Sequence, residues 1–343
     1  MFHNVWILIA NNRKLSQKSL VLALLIVATL GMALSNGISN MSNNNQVQAQ
    51  QQNQIKINKV WETPDDLKNP ESVLYALKQD ILFVSNIDGK PDQKDQKGFI
   101  SKVSPSNGSI IELNWITGLN APKGMIIFNN SKLYVSDITD LVEIDIAHGK
   151  IIKRFNAPGS AFLNDVTLDK QGNIYVSDTG TNAIYKLDTK LKDKASLQVW
   201  LQSAELNGPN GLHVDNNKNN LIVVSIGSDP NKRGAGMNAI DLENKTISSL
   251  GKEGTTTPLG VLDGIDSDAS DTHYYVTDNA AGKVYSVNAD GTGYGTLIDL
   301  QRQGTADFGF ISAQSIIVIP LMQDNKLVAY KLENRIPDVN LYR

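Results

Sequence analysis

One phrase recurs six times along this chain and limits what it can fold into. A short polar residue is followed by Gly or an apolar residue, then by apolar residues and a turn, then by an apolar run ending Val-Ser/Thr-Asp. The clearest copies are Leu163-Asn164-Asp165-Val166 leading to Ile174-Tyr175-Val176-Ser177-Asp178, and Leu262-Asp263-Gly264-Ile265 leading to Tyr274-Tyr275-Val276-Thr277-Asp278. Weaker copies start near Glu71, Lys123, Asn210 and Asp307. The spacing centres on roughly 47 residues, the range of β-propeller blades rather than helical solenoids. In a propeller the start of every blade's inner strand meets one central channel, so residues far apart in sequence become neighbours.

The rest of the chain agrees with that reading. After Ile55, Val, Ile, Tyr, Leu and Thr alternate with polar residues in short runs, and turns such as Asn107-Gly108, Gln171-Gly172 and Asp290-Gly291 separate them. No stretch keeps a 3.6-residue period over helical length, so the fold class is all-β. Blade 1 is expected from Glu71 through Ile81–Ser85 and Phe99–Ser101 to Ile110–Leu113, and blades 2 to 5 from Lys123, Asn164, Asn210 and Asp263. Blade 6 starts at Asp307, has strands near Ser315–Pro320 and Lys326–Leu332, and lacks an outer strand. Ile55–Trp61 has the alternation to supply it. Closing the ring with an N-terminal strand removes an exposed edge, which otherwise invites aggregation.

Composition narrows the function. The 343 residues carry a formal charge of -3, so no basic footprint for nucleic acid is present. Cysteine is absent, which removes disulfides, thiolate metal sites and cysteine nucleophiles together. Arg13, Lys14 and Lys18 precede an uncharged apolar run from Leu20 to Leu34, the pattern of a signal peptide. Ala33-Leu34-Ser35 offers a cleavage site after Ser35, and Val47-Gln48-Ala49 a second. The run is short of the roughly 20 residues a span needs. No charge follows until Lys56, however, so residues 1–35 read as a signal peptide or as a membrane anchor. Either way the basic flank stays in the cytoplasm and the body is exported, touching a membrane only through that anchor. Residues 36–54, nearly all Asn, Gln, Ser and Gly, cannot offset their chain entropy by burial and read as a disordered linker. Residues 55–343 then suit one propeller.

Six turns lead into the six inner strands. They contribute Glu71 (Asn69-Pro70-Glu71), Lys123 (Ala121-Pro122-Lys123-Gly124), Asn164 with Asp165, Asn210 (Gly208-Pro209-Asn210-Gly211), Asp263 (Leu262-Asp263-Gly264) and Asp307 (Ala306-Asp307-Phe308). Asn, Asp and Gly before a strand are also ordinary turn formers. Glu71 is not, and no other blade has Glu at the matching position. Two carboxylates with two amide carbonyls suit a hard divalent cation such as Ca²⁺, which takes six to eight oxygens. Zn²⁺ would prefer His or Cys, and only His213 and His273 fall near the blade cores.

In these phrases the chain resembles the gluconolactonase, regucalcin and diisopropyl-fluorophosphatase group of six-bladed propellers, over roughly Trp61 to Leu332. The resemblance implies one divalent metal at the channel mouth, held by Glu71, Asn164 (Asn164-Asp165), Asn210 (Asn210-Gly211-Leu212) and Asp263 (Asp263-Gly264). It also implies hydrolysis of a small lactone or phosphoester, with Asp263 as base or nucleophile. Asp165 is a second candidate base. Lys123 and Asp307 are the substrate-binding candidates, Lys123 through a carboxylate or oxyanion, unless it repels the metal or pairs with Glu71 or Asp307. No Gly-x-Ser-x-Gly elbow, His-Glu-x-x-His or P-loop occurs. Asp266–Asp271 resembles a calcium loop but lacks its Gly and final Glu, and reads as a solvated hairpin turn. Asp88–Lys97 and Ser228–Gly236 are long polar insertions that either shape substrate access or are plain surface loops. The chain thus reads as an exported, metal-dependent, lactonase-like hydrolase; the alternative is a non-catalytic propeller serving as a binding or interaction scaffold.

Overall fold

The computed structural model describes residues 55–334 except 228–235 and 269. The expected signal or anchor, the linker, residues 335–343 and most of the Ser228–Gly236 insertion lie outside the described residues. Six antiparallel four-stranded sheets form a six-bladed propeller. The inner strands are Pro70–Ala76, Pro122–Phe128, Leu163–Leu168, Pro209–Asp215, Leu262–Ser267 and Gly309–Ile311. The second strands are Ile81–Asn86, Lys132–Asp137, Asn173–Asp178, Asn220–Ser225, His273–Asp278 and Ile316–Leu321. Helix is confined, among the described residues, to short 3₁₀ turns such as Ala204–Leu206 and Met322–Asp324.

The second strands explain the Val-Ser/Thr-Asp phrase. Each is sandwiched between neighbouring blades, so both faces are covered and its apolar run is nearly continuous. In blade 3, Ile174 and Val176 pack with Tyr134 and Leu141 of blade 2, while Tyr175 faces Leu212 and Leu221 of blade 4. The core is therefore a ring of inter-blade layers around the channel.

The last blade closes as expected. Strand Ile55–Glu62 lies outside Lys326–Asn334, so the blade orders as N-terminal strand, Lys326–Asn334, Ile316–Leu321 and Gly309–Ile311. Thr63 donates its N–H to the Leu327 carbonyl at 3.0 Å, and its hydroxyl accepts the Leu327 N–H at 2.9 Å. Trp61 carries the docking. Its indole is buried with Val73, Leu82, Val318 and Leu327 of blades 1 and 6, and donates to the Pro105 carbonyl at 3.0 Å. Gly108, at φ 72°, leaves room for this ring, because a Cβ there would sit 2.5 Å from the indole.

Candidate functional site at the channel mouth

Every inner strand of blades 1 to 5 begins with a β-bulge. In blade 3, Leu163 pairs with Asp178 and Val166 with Val176, so one extra residue is accommodated at Asn164-Asp165. The same shift falls between Pro70 and Ser72, Pro122 and Met125, Pro209 and Leu212, and Leu262 and Ile265. A bulge bends the strand and re-aims its side chains. Glu71, Lys123, Asn164, Asn210 and Asp263 all sit on these bulges, and all are buried.

The Ser/Thr-Asp pairs of blades 2, 3 and 5 pin bulges of their own or the next blade. The hydroxyl of Ser177 accepts the Asp165 N–H at 2.8 Å and donates to the Asn210 carbonyl of the next blade at 2.7 Å. Thr277 does the same with the Gly264 N–H at 2.7 Å and the Ala306 carbonyl at 3.0 Å, and Ser136 donates to the Asn164 carbonyl. The following Asp gathers the turn that enters its own inner strand. Asp178 accepts the N–H groups of Ala161 and Phe162, both at 2.9 Å, and Asp137 those of Asn120 and Ala121 at the same distance. The phrase legible in the sequence thus fixes the backbone at Asn164, at Asn210 and directly after Asp263, and Ser85, followed by Asn86, holds the Ser72 N–H next to Glu71.

Of the four expected metal ligands, Asn210 and Asp263 are in direct contact. Asn210 donates its amide N–H to Asp263 Oδ1 at 3.0 Å, and Asn164 donates to Thr179 Oγ1 at 3.2 Å. Each NH₂ group thereby has one N–H engaged, which orients the amide, and neither amide oxygen accepts a hydrogen bond among the described residues. Asp263 Oδ2 accepts the Asn279 amide at 2.8 Å. Glu71 Oε2 is buried without any partner. An orphaned buried carboxylate oxygen and amide oxygens that accept no hydrogen bond are the donor types a hard cation takes. Electrostatics agree. Burial, then Asp263 and Asp165, push the Glu71 carboxyl well up, with Lys123 opposing. Burial raises Asp263 to about 6 against the amides of Asn279 and Asn210. Acids crowded and dried in this way lack positive charge, which a divalent ion would supply. No group of three or more His, Asp or Glu side chains among the described residues is placed to hold a metal, so the fit rests on a half-amide donor set.

The other three candidates are more occupied. Asp165 accepts the N–H groups of Val166 and of Leu212 in the next blade, both at 2.6 Å, and burial raises it to about 7. It is a strut between blades 3 and 4. Asp307 accepts the Ser72 hydroxyl at 2.5 Å, and its N–H donates to the Glu71 carbonyl at 2.9 Å, joining blades 6 and 1. Burial and then Asp165 push its carboxyl well up. Lys123 forms no ion pair with Glu71 or Asp307; its ammonium donates to the carbonyls of Ala121 at 2.9 Å and Pro91 at 3.0 Å. Burial lowers its pKa, and Glu71 resists that shift.

Further along the inner strands the channel widens into a cavity of about 310 Å³ lined by Asp165, Asp307, His213, Asp266, Met125 and Phe310 among others. Asp266–Asp271 is the expected hairpin turn in part: Asp268 accepts the Thr272 N–H at 2.8 Å. Asp266 and Asp271 also stand 3.7 Å and 3.5 Å from the ring nitrogens of His213, a contact the reading as a plain solvated turn does not include. Two residues at the mouth escaped the sequence reading, Thr179 and Asn279. Both directly follow the Ser/Thr-Asp phrase, in Asp178-Thr179 and Asp278-Asn279, and that position is the available signal.

No protein-family profile matches the chain, and no curated protein does. Solved structures do. A gluconolactonase from Xanthomonas campestris is 15% identical with a TM-score of 0.58, covering 81% of this chain and 90% of its own. A catalytically inactive virginiamycin B lyase from Staphylococcus aureus, in which a histidine is replaced by alanine and which was solved with quinupristin, is 16% identical with a TM-score of 0.55, covering 81% of this chain and 100% of its own. A streptogramin B lyase is 13% identical with a TM-score of 0.57, covering 81% and 98%. At these identities the likeness establishes the propeller fold.

Proposed function

We propose that the protein is an exported hydrolase of lactones or related esters that works with one divalent cation, Ca²⁺, held at the channel mouth by Glu71, Asn164, Asn210 and Asp263. The observation that carries this reading is the donor set: a buried, partnerless Glu71 oxygen and two amides oriented by one N–H each, all on inner-strand bulges at the channel mouth. Bound there, the cation would supply Lewis-acid polarisation of an ester carbonyl and acidify water. The chain's own residues do the rest. Asp263 is the proton acceptor in this reading, and the amides of Asn210 and Asn279 hold its two oxygens in place. Asp165 is committed as a strut to backbone N–H groups of blades 3 and 4, whereas Asp263 is held by side-chain amides alone, so we assign the base to Asp263 and keep Asp165 as a second acid. The gluconolactonase likeness supports the substrate class at the level of fold. The lyase likeness fits the site less well. Among the described residues His148 pairs with Asp145, His273 with Asp268, and His213 lines the lower cavity, so the mouth offers no histidine. Export is supported by the basic and apolar pattern of residues 1–35; no helix among the described residues is long and apolar enough to cross a membrane.

The test is turnover on a panel of lactones and esters with and without calcium, for wild type and Asp263→Asn. That substitution keeps the shape and removes a charge and the base. The proposal requires calcium-dependent turnover in wild type and its loss in a folded variant. Absence of turnover by wild type under any divalent metal refutes the enzyme and leaves a binding scaffold.

A further inference from the structure

Lys123 is 1% exposed, yet no carboxylate lies within ion-pair distance of its ammonium. A buried cation that makes no direct ion pair is costly, so the carbonyls that take its N–H groups matter to its position. Its three contacts come from three successive blades. The Ala121 carbonyl belongs to the turn of its own blade 2. Pro91 belongs to the loop of blade 1 between strands Ile81–Asn86 and Gly98–Val103. The ring of Phe162, 4.4 Å from the ammonium, belongs to the turn entering blade 3.

The blade 1 loop is long for its position. Inner strands run away from the mouth and second strands return to it, so the connection after each second strand lies on the mouth face. In blade 2 that connection is Ile138-Thr139 alone, whereas in blade 1 it spans residues 87–97, beyond the usual two to five of a hairpin. Its ends are held by backbone bonds, Ile87 N–H to the Asn69 carbonyl and Gly98 N–H to the Asn120 carbonyl. Lys94 reaches across to the Thr139 hydroxyl of blade 2 at 2.6 Å. Toward the channel, the segment around Pro91 is held by Lys123.

We propose that Lys123 is a positioning residue: its buried ammonium latches the 87–97 loop over the channel mouth as a fixed wall, and that wall sets which substrates reach Asp263. The selectivity half rests on the hydrolase reading above; the latch does not. Lys123 is then held in the structure for geometry rather than for contact with substrate.

The latch is tested by limited trypsin digestion of the full chain under native conditions. The Lys90-Pro91 bond resists trypsin by its proline, so the reporters are the bonds after Lys94 and Lys97, both exposed. A latched loop is cut no faster than the blade turns in wild type. In Lys123→Met, which keeps the length and removes the charge, cutting after Lys94 should rise at least 10-fold while the calorimetric melt still shows a folded propeller. Rapid cutting after Lys94 in native wild type overturns the latch, and does so even if Lys123→Met fails to fold. Unchanged cutting in a folded Lys123→Met also overturns it. For selectivity, the ratio of kcat/KM between a small and a bulky lactone should shift several-fold in Lys123→Met. Equal loss on both lactones with the loop still resistant would return Lys123 to direct substrate contact. No lactone turnover in wild type would sink the hydrolase reading, with the latch still decided by trypsin.

Discussion

Trp61→Ala should weaken the whole ring, because this one side chain seats the closing strand. The indole is buried between blades 1 and 6, and Gly108 is shaped around it. Truncating a buried Trp to Ala costs about 3–5 kcal/mol in transfer and cavity free energy. Losing the bond to the buried Pro105 carbonyl adds about 1–3 kcal/mol, since that acceptor is left unpaired. At about 2–4 °C per kcal/mol for a domain approaching this size, the melting temperature should fall on the order of 10 °C. Val60, on the same strand but 44% exposed, provides the control: Val60→Ala should change stability by less than about 1 kcal/mol. Scanning calorimetry on both variants, backed by far-ultraviolet circular dichroism rather than tryptophan emission, is the assay. Deleting residues 55–61 should do more, exposing the edge of Lys326–Asn334 and promoting association. If Trp61→Ala melted with wild type, or the deletion left the melt unchanged, ring closure by the N-terminal strand would not be what holds the blades together.

Two further outcomes follow from the site. Asp178 is fully buried and collects the N–H groups of Ala161 and Phe162, so Asp178→Ala should cost about 3 kcal/mol or more in urea denaturation and disorder the turn under Asn164; a loss below 1 kcal/mol would deny the phrase its pinning role. Asp263 and Asp165 are raised to about 6 and about 7 from an ordinary value near 4, so without cation the folded chain binds more protons than the unfolded one between about pH 4 and pH 7. Their contribution therefore favours the fold toward pH 4 and is lost as pH rises through 7, and the gain in melting temperature from added calcium should grow over the same range; a calcium gain that is flat from pH 5 to pH 7.5 would contradict this.

Much of the architecture was legible because a propeller repeats its local rules. The turn and the apolar second strand recur in each blade, Ser/Thr-Asp recurs in blades 2, 3 and 5, and the missing outer strand of blade 6 pointed to Ile55–Trp61. The mouth positions were legible for the same reason. What each side chain does there was less so, because its partners belong to other blades. Ser177 meets Asn210 and Asp165 meets the Leu212 N–H across the inter-blade gap, at separations of 33 and 47 residues. Asp165, which reads as a base, has its lone pairs directed at backbone N–H groups. Lys123, which reads as a substrate anchor, is turned toward carbonyls of Ala121 and Pro91. Asn279 looks like one more turn residue until Asp263 is placed beside it.

The central claim, that the mouth holds one divalent cation, is tested most directly by calcium titration calorimetry of the purified protein beside Glu71→Gln. Two carboxylates and two amides should bind one calcium per chain at a weak, micromolar-to-millimolar dissociation constant. Glu71→Gln, which keeps the shape and removes one charge, should weaken that binding at least 10-fold. Absence of calcium uptake by wild type, or uptake that Glu71→Gln leaves untouched, would contradict the account.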